Sequence, residues 1–367
     1  MKDLDLAIAF TAASSKQRIS HKDRKALLMQ AGGLKGILPY LKEPRESQGF
    51  HESFLAQAME SELINLKGKT FPDSWRAVTF LDPLYPRRLL QISRPPALLF
   101  MSGQHLSALN QNFVVGIIGS RKPSSYGVEV TRKLAGEIAD RGVAIVSGGA
   151  RGIDGLAHAR ALERGGLTLA VTGSGLGRAY PPEHRTLFNN IEKRGGLITE
   201  FVPGTMPRRN HFPARNRILA GLCDAILITE ASHASGTLIT AGFAADYGRE
   251  VMAVPGSILS GSSRSCHALI RDGASLIESV DDIPGMPAPY RMDQPQDQAK
   301  EPGACHLDAE DEAILQALDH APRTLEGLVQ SSGYSRESLA LRLAILQNRG
   351  LVSLHRGLYC RAIRDPA

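Results

Sequence analysis

Cysteine is scarce in this 367-residue chain, and the four present, Cys223, Cys266, Cys305 and Cys360, stand far apart with no C-x-x-C pair. That excludes the spacing of a zinc site and a disulfide framework, and it predicts a reducing compartment. No apolar stretch approaches the roughly 20 residues of a membrane span, so no membrane association is expected. The opening residues, MKDLDLAIAFTAASS, carry acids where a secretory signal would be basic, and their apolar run is short. A cytoplasmic protein is the expectation. Nucleotide motifs are missing too. GIIGSR and GSGLG do not spell G-x-G-x-x-G, and no acid ends the second candidate strand to hold a ribose. KGKT at 67–70 has Leu63 where a P-loop needs its first glycine. No cofactor and no metal are expected.

What the chain does have is hydrophobic content of 43 %, enough for a substantial core, and a net charge of +6, which fits an anionic partner. Its length suits two or three domains. Residues 1–75 read as helical: Leu27, Leu28, Leu34, Ile37, Leu38 and Leu41 fall near helical spacing, with Gly32-Gly33 breaking the run. A proline-bearing stretch, LDPLYPRRLLQISRPPALLFMSG, suits an extended segment lying along a larger domain. From about 113 short apolar runs alternate with helical segments. The strands are expected at 113–118, 143–147, 167–173, 196–200, 224–230 and 250–254. Continuous apolar strands separated by helices predict an α/β fold, a doubly wound parallel sheet of Rossmann-like kind, over 76–283. Residues 284–306 are rich in proline and polar residues and read as a linker. Residues 307–367 read as three helices and a wing turning at Arg356-Gly357, a winged helix whose third helix carries only Arg336, Arg342 and Arg349 against Glu337.

In an open parallel sheet the ligand lies beyond the carboxyl ends of the strands. The six loops there hold Arg121, Lys122, Arg151, Arg178, Arg185, Arg208, Arg209, Arg215, Arg217 and Arg264, against only Asp154, Glu183, Glu200 and Glu230. Glycine and serine fill the gaps, so backbone N–H groups can approach phosphates. Basic groups on nearly every loop suit a ligand with several phosphates. Aromatics are interleaved: Tyr126, Tyr180, Phe201 and Phe212. The stretch PRRNHFPARNR, Pro207 to Arg217, has four arginines and no carboxylate. A basic groove with rings for base stacking suits single-stranded nucleic acid, and arginine both clasps phosphate and stacks.

These loops closely resemble the DprA/Smf family of DNA-processing proteins of natural transformation. The matching stretches are GSRKPSSYG, SGGARGIDGLAHARAL, AYPPEH, GLITEF, FPARNRILAGL, SGTLITAGFAADYGREVMAVPGS and LIRDGA, in order and across most of 80–283. The resemblance implies a protein that binds incoming single-stranded DNA, protects it and helps load the RecA recombinase, usually as a homodimer and without catalytic turnover. It also implies a small N-terminal helical domain of SAM or helix-hairpin-helix type. It places DNA contacts at Ser120 and Arg121 in the G-S-R loop and at Phe212, Arg215, Asn216 and Arg217 in the F-P-x-R-N-R segment. One departure is His267 after Cys266, where the family usually has Asn.

Bland alternatives stand beside several of these residues. Gly148 and Gly149 either touch phosphate or only permit a tight turn, and Asp154 with His158, four apart, is an ordinary structural pair. Phe212 either stacks on a base or anchors its helix. Arg208 and Arg209 either bind or steer, and Lys122 and Arg178 share that ambiguity, while Arg151 is expected among the DNA-binding residues. The winged helix reads equally as a protein-contact module or a duplex reader. Two rival functions remain. A nucleotide N-glycosidase of the phosphoribohydrolase type would use P-G-G-x-G-T-x-x-E, but Thr240 stands where its glutamate belongs. A duplex binder acting through residues 307–367 would lose binding when 284–367 is deleted; a single-strand binder would keep it.

Overall fold

The computed structural model describes residues 2–43, 50–232, 236–287, 309–319, 323–332, 334–348, 351–355 and 358–361. Residues 1–291 form one compact unit and 292–367 a second.

The first unit opens with helices Asp3–Lys16, His21–Gln30, Leu34–Lys42 and Phe50–Leu66. Ser20 caps the second by accepting a hydrogen bond from the Asp23 N–H at 3.2 Å. Gly32 and Gly33 then turn the chain at φ 65° and 110°, conformations that favour glycine, which is why the apolar pattern breaks there. Phe10, Leu28, Ile37, Leu55 and Met59 are buried in one cluster with Phe100, Ala170, Phe188 and Ile191 of the sheet layer. The expected boundary at residue 75 therefore separates no compact body, because the small helices bury their apolar faces against the larger fold.

Nine strands make one sheet: β1 (Trp75–Thr79), β2 (Leu98–Ser102), β3 (Val114–Ile118), β4 (Ala144–Ser147), β5 (Thr168–Val171), β6 (Gly196–Thr199), β7 (Ala225–Ile228), β8 (Glu250–Ala253) and β9 (Ser275–Leu276). Their order is β1-β2-β6-β5-β4-β3-β7-β8-β9. The six expected strands form the parallel centre. The proline-bearing lead-in supplies more than an extended strap: β1 and β2 pair antiparallel with each other and onto β6. Alternation along β3 places Val115 and Ile117 in one core layer with Leu134, Ile138 and Ala157, and Val114 and Ile118 in the other with Ile218, Leu219 and Leu222. Both faces are covered, as continuous apolar strands require. A bidentate pair from Arg88 to Asp224 (2.7 Å for each bond) pins the lead-in, and Asp224 also accepts from the Val114 N–H at 2.8 Å.

The expected linker start at 284 is too early. Met286 packs on the core layer of Val115 and Ile117, and the Pro287 carbonyl accepts from Arg141 at 3.2 Å. Residues 288–306 lie outside the described residues. The second unit has helices Ala309–Asp319, Leu325–Ser332 and Arg336–Asn348, then an antiparallel pair, Val352–His355 with Leu358–Arg361. Ile314, Leu318, Leu328, Leu339, Leu343 and Leu346 fill its core. Arg336 pairs with Glu326 at 3.1 Å and Arg342 with Asp311 at 2.9 Å, while Arg349 and the turn Arg356-Gly357 lie outside the described residues. Among the described residues no helix is long and apolar enough to cross a membrane.

Candidate nucleic-acid interface

The strand order reverses direction at β3, whose neighbours β4 and β7 lie on opposite sides. Loops leaving such a pair part from each other and open a crevice beyond the carboxyl ends. Here it is a cavity of about 660 Å³. Five strand-end segments line it: 118–121 after β3, Ala150 and Asp154 after β4, Tyr180 after β5, Arg209 to Leu219 after β6, and Ser232 to Thr240 after β7, with 233–235 outside the described residues.

The loop after β3 is held by Glu230, whose backbone carbonyl accepts from the Ser120 N–H at 2.7 Å. The Glu230 carboxylate accepts from the Ser124 N–H at 2.9 Å and from the Ser124 hydroxyl. Ser124 in turn caps helix Ser125–Asp140 through the Gly127 N–H. Glu230 is thus a loop anchor rather than a charge facing the crevice. Pinned this way, the loop presents Arg121 to solvent, with its guanidinium carbon 5.8 Å from the centre of the Phe212 ring. Tyr180 meets the same ring at 5.6 Å with a 45° tilt. Arg121, Phe212 and Tyr180 form a cation-and-ring stack drawn from two loops and the first turn of the helix that begins at His211.

Helix His211–Leu222 carries Phe212, Arg215 and Asn216 into the crevice. Arg215 is 5 % exposed. Its guanidinium fills the space where a side chain on Gly148 would stand: a Cβ there would lie 2.6 Å from Cζ. Burial pushes the Arg215 pKa down, and the buried Asp154 carboxylate opposes that shift. Asp154 is pushed up by its own burial, and Arg215 with the Ala150 and Gly148 amides works against the push. Among the described residues the Arg215 Nε has no hydrogen-bond partner. A buried cation with one unsatisfied donor at a crevice wall suits an anionic ligand.

Of the expected site residues, the structure brings Ser120, Arg121, Arg209, Phe212, Arg215 and Asn216 into the crevice lining. The others lie elsewhere. Arg217, expected as a phosphate clamp, is 5 % exposed, ion-paired to Glu200 and bonded to the Arg94 carbonyl at 2.9 Å, because it sits on the helix face turned to the N-terminal layer. Arg151 pairs with Glu183 at the surface. Arg178 donates to the Gly204 carbonyl at 3.3 Å. Gly148 is the seat of the Arg215 guanidinium, and Gly149, at φ 67°, leaves room for the Phe188 ring. Lys122 and Arg208 are exposed beside the crevice without lining it. Among the described residues no carboxylate pairs with Arg121, Lys122, Arg208 or Arg209.

Asp154 and His158 do not pair with each other as helix spacing suggested. Asp154 accepts from the Ala150 N–H at 3.3 Å, while His158 bonds the Thr168 hydroxyl at 2.7 Å. Burial holds the His158 pKa down at about 3, so this ring is neutral at physiological pH. His267, which follows Cys266 where Asn is usual, faces the Gly256 carbonyl at 3.0 Å and steadies the loop after β8. Tyr180, named at first only as an interleaved aromatic, and Asp154 and Thr240 join the lining. Their signal in the sequence was simply position in a strand-end loop.

Residues 76–286 match the family of DNA recombination-mediator protein A. Protein Smf of Synechocystis is 38 % identical over 269 residues, covering 72 % of this chain and 68 % of that one. DNA processing protein DprA of Streptococcus pneumoniae is 43 % identical over 205 residues, covering 56 % and 72 %. The X-ray structure of the S. pneumoniae protein superposes with a TM-score of 0.61 at 31 % identity, covering 77 % of this chain and 96 % of that one. A structure of DNA processing protein A from Helicobacter pylori, described for its single-stranded DNA binding mode, gives 0.51 at 28 % identity and covers 57 % and 93 %. With the family match spanning more than half its length, this chain belongs to the DprA/Smf family of DNA recombination mediators.

Proposed function

We propose that the strand-end crevice binds single-stranded DNA, and that the protein acts in DNA processing during transformation and recombination. The observation that carries this reading is the Arg121–Phe212–Tyr180 stack at the mouth of a crevice whose wall is a buried, partly unsatisfied arginine. Rings accept any base because every base has a π-face, and arginines hold the backbone, so binding is tolerant of sequence. Arg121 and Arg209 contact phosphate, Phe212 and Tyr180 stack, Asn216 and Ser120 supply hydrogen bonds, and Arg215 provides fixed positive potential beneath them. Lys122 and Arg208 steer the strand inward.

Membership of the recombination-mediator family supports a role as a recombination mediator, and the single-stranded DNA binding mode of the Helicobacter protein supports a single strand as ligand. Handing the protected strand to the RecA recombinase, and acting as a homodimer that places two crevices on one strand, complete the proposal; two linked sites raise affinity through effective concentration. The reading involves no catalysis. The glycosidase alternative needs a carboxylate at Thr240, and the one carboxylate in the lining, Asp154, is buried and engaged with backbone amides and Arg215. Arg336 and Arg342, each engaged with a carboxylate of its own unit, favour a protein-contact role for residues 309–361 over duplex reading.

The test is fluorescence anisotropy of a labelled mixed-sequence single strand over a salt series, with the matching duplex as competitor. Expected is tight binding that duplex does not displace, with a log–log salt slope of about −0.7 per phosphate held. No binding at low salt overturns the reading.

A further inference from the structure

A second concentration of positive charge lies outside the crevice, where the N-terminal helices meet the sheet. The buried Glu200 carboxylate is ion-paired to Arg217, and Arg24 also bears on it. Arg217 donates to the Arg94 carbonyl at 2.9 Å. Arg24 reaches from helix His21–Gln30, fixed by bonds to the Ile19 carbonyl at 3.1 Å and the Ser15 hydroxyl at 3.2 Å. His21 faces all three cations, Arg217, Arg24 and Arg94; burial first, and then these charges, depress its pKa to about 4, so it stays neutral. Three arginines against one carboxylate leave an excess of two positive charges around a neutral ring. Arg94 is exposed. A protein does not gain stability by holding arginines together around one acid, since like charges in a half-buried site repel.

The cluster is joined to the crevice by a second ring pair. Phe201 and His211 stack at 4.1 Å with an 18° tilt. His211 is the residue before Phe212, and Phe201 is the residue after Glu200. The His211 ring faces the Gly173 carbonyl at 3.1 Å, and burial lowers its pKa, so it is an uncharged, half-buried platform. Contacts run from Arg121 and the Phe212–Tyr180 rings, through His211, which precedes Phe212 and stacks on Phe201, to Glu200 beside Phe201 and its partner Arg217, which donates to the carbonyl of the exposed Arg94. That alternation is what a single strand asks of its binding track, phosphate holders and stacking surfaces by turns.

Building on the crevice reading above, we propose that the single strand continues past the crevice over the His211–Phe201 pair to a second phosphate subsite formed by Arg94 and Arg24, set in place by the buried Arg217–Glu200 pair. The N-terminal helices, on this view, hold nucleic acid as well as supporting the fold, and the occupied strand is longer than the crevice alone accommodates.

The experiment uses the full chain and two labelled single strands, one of about 5 nucleotides and one of about 20, within and beyond the span of one such groove. Wild type is compared with Arg94→Ala and, as a second variant, Arg24→Ala, each checked for an unchanged unfolding midpoint; Arg94 is exposed, so its replacement leaves the fold intact. Expected is that Arg94→Ala binds the short strand like wild type but the long strand about fivefold to twentyfold more weakly, with a salt slope shallower by about 0.7, the share of one phosphate. Arg94→Lys should restore most of the loss. If the long strand binds Arg94→Ala as tightly as wild type, the subsite is overturned while the crevice stands. If both strands weaken equally, the arginines act on the crevice and the extension is again wrong. If wild type binds neither strand, the crevice reading itself has failed.

Discussion

Gly148→Ala should damage this protein through one side chain 67 residues away. A Cβ at 148 would stand 2.6 Å from the Arg215 Cζ, and ordinary van der Waals contact requires about 1 Å more. Arg215 cannot retreat freely, because its helix is locked by Ile218, Leu219 and Leu222, each about 1 % exposed. Overpacking of this kind costs roughly 1–3 kcal/mol, a fall in Tm of roughly 2–12 °C for a unit this large. Displacing the guanidinium also weakens single-strand binding, since the crevice wall loses its positive charge. The discriminating assay is a double-mutant cycle in urea, with Gly148→Ala made both in wild type and in Arg215→Ala. The cost should largely vanish when Arg215 is already absent, giving a coupling of about 1–3 kcal/mol. An equal cost in both backgrounds would falsify the assignment of Gly148 as the seat of Arg215, and the glycine would then serve only its turn.

Three further outcomes are expected. Phe212→Ala should weaken single-strand binding by about 1–3 kcal/mol, roughly fivefold to 150-fold, in anisotropy titrations, whereas Phe212→Tyr keeps the ring and most of the affinity; equal loss in both would refute stacking. His158 has a folded pKa of about 3, below its usual 6.5, so its contribution is fully present above 6.5 and is lost as pH falls toward 3. Between pH 7.5 and 5, wild type should lose about 2 kcal/mol more urea stability than His158→Gln, and parallel losses would show that the ring is not buried neutral. Truncation after residue 291 should leave single-strand affinity and its salt slope unchanged, because the crevice lies wholly in the first unit; loss of binding would assign the strand to the second.

Much of the sheet was legible because a strand buried on both faces is apolar throughout, and VVGII, AIVS and AILI show it directly. β1 and β2 were hidden for opposite reasons. WRAVT is half-exposed and carries a charge, while LLFMS is fully buried but follows a proline pair that suggests a strap. Neither shows by itself that it adds antiparallel to β6. In the site, residue types and their loops were readable, but the state of each cation was not. Arg217 and Arg215 stand two apart in one motif, yet Glu200 engages the first and Gly148 accommodates the second. Those partners are set by the packing of β4 and β6 around one helix, a tertiary fact that local spacing does not encode.

The order of the strands has a consequence for synthesis. β3 emerges early, but its neighbour β7 lies some hundred residues later, and the wall at Thr237–Thr240 later still. A nascent chain that has just released Phe212 and Arg215 holds the rings and the charge without the β7 side of the crevice. Non-local pairing of this kind closes late in folding. On the proposed reading, the capacity to hold a single strand therefore arrives near the end of translation of the first unit, because an incomplete chain on the ribosome lacks one wall of the crevice.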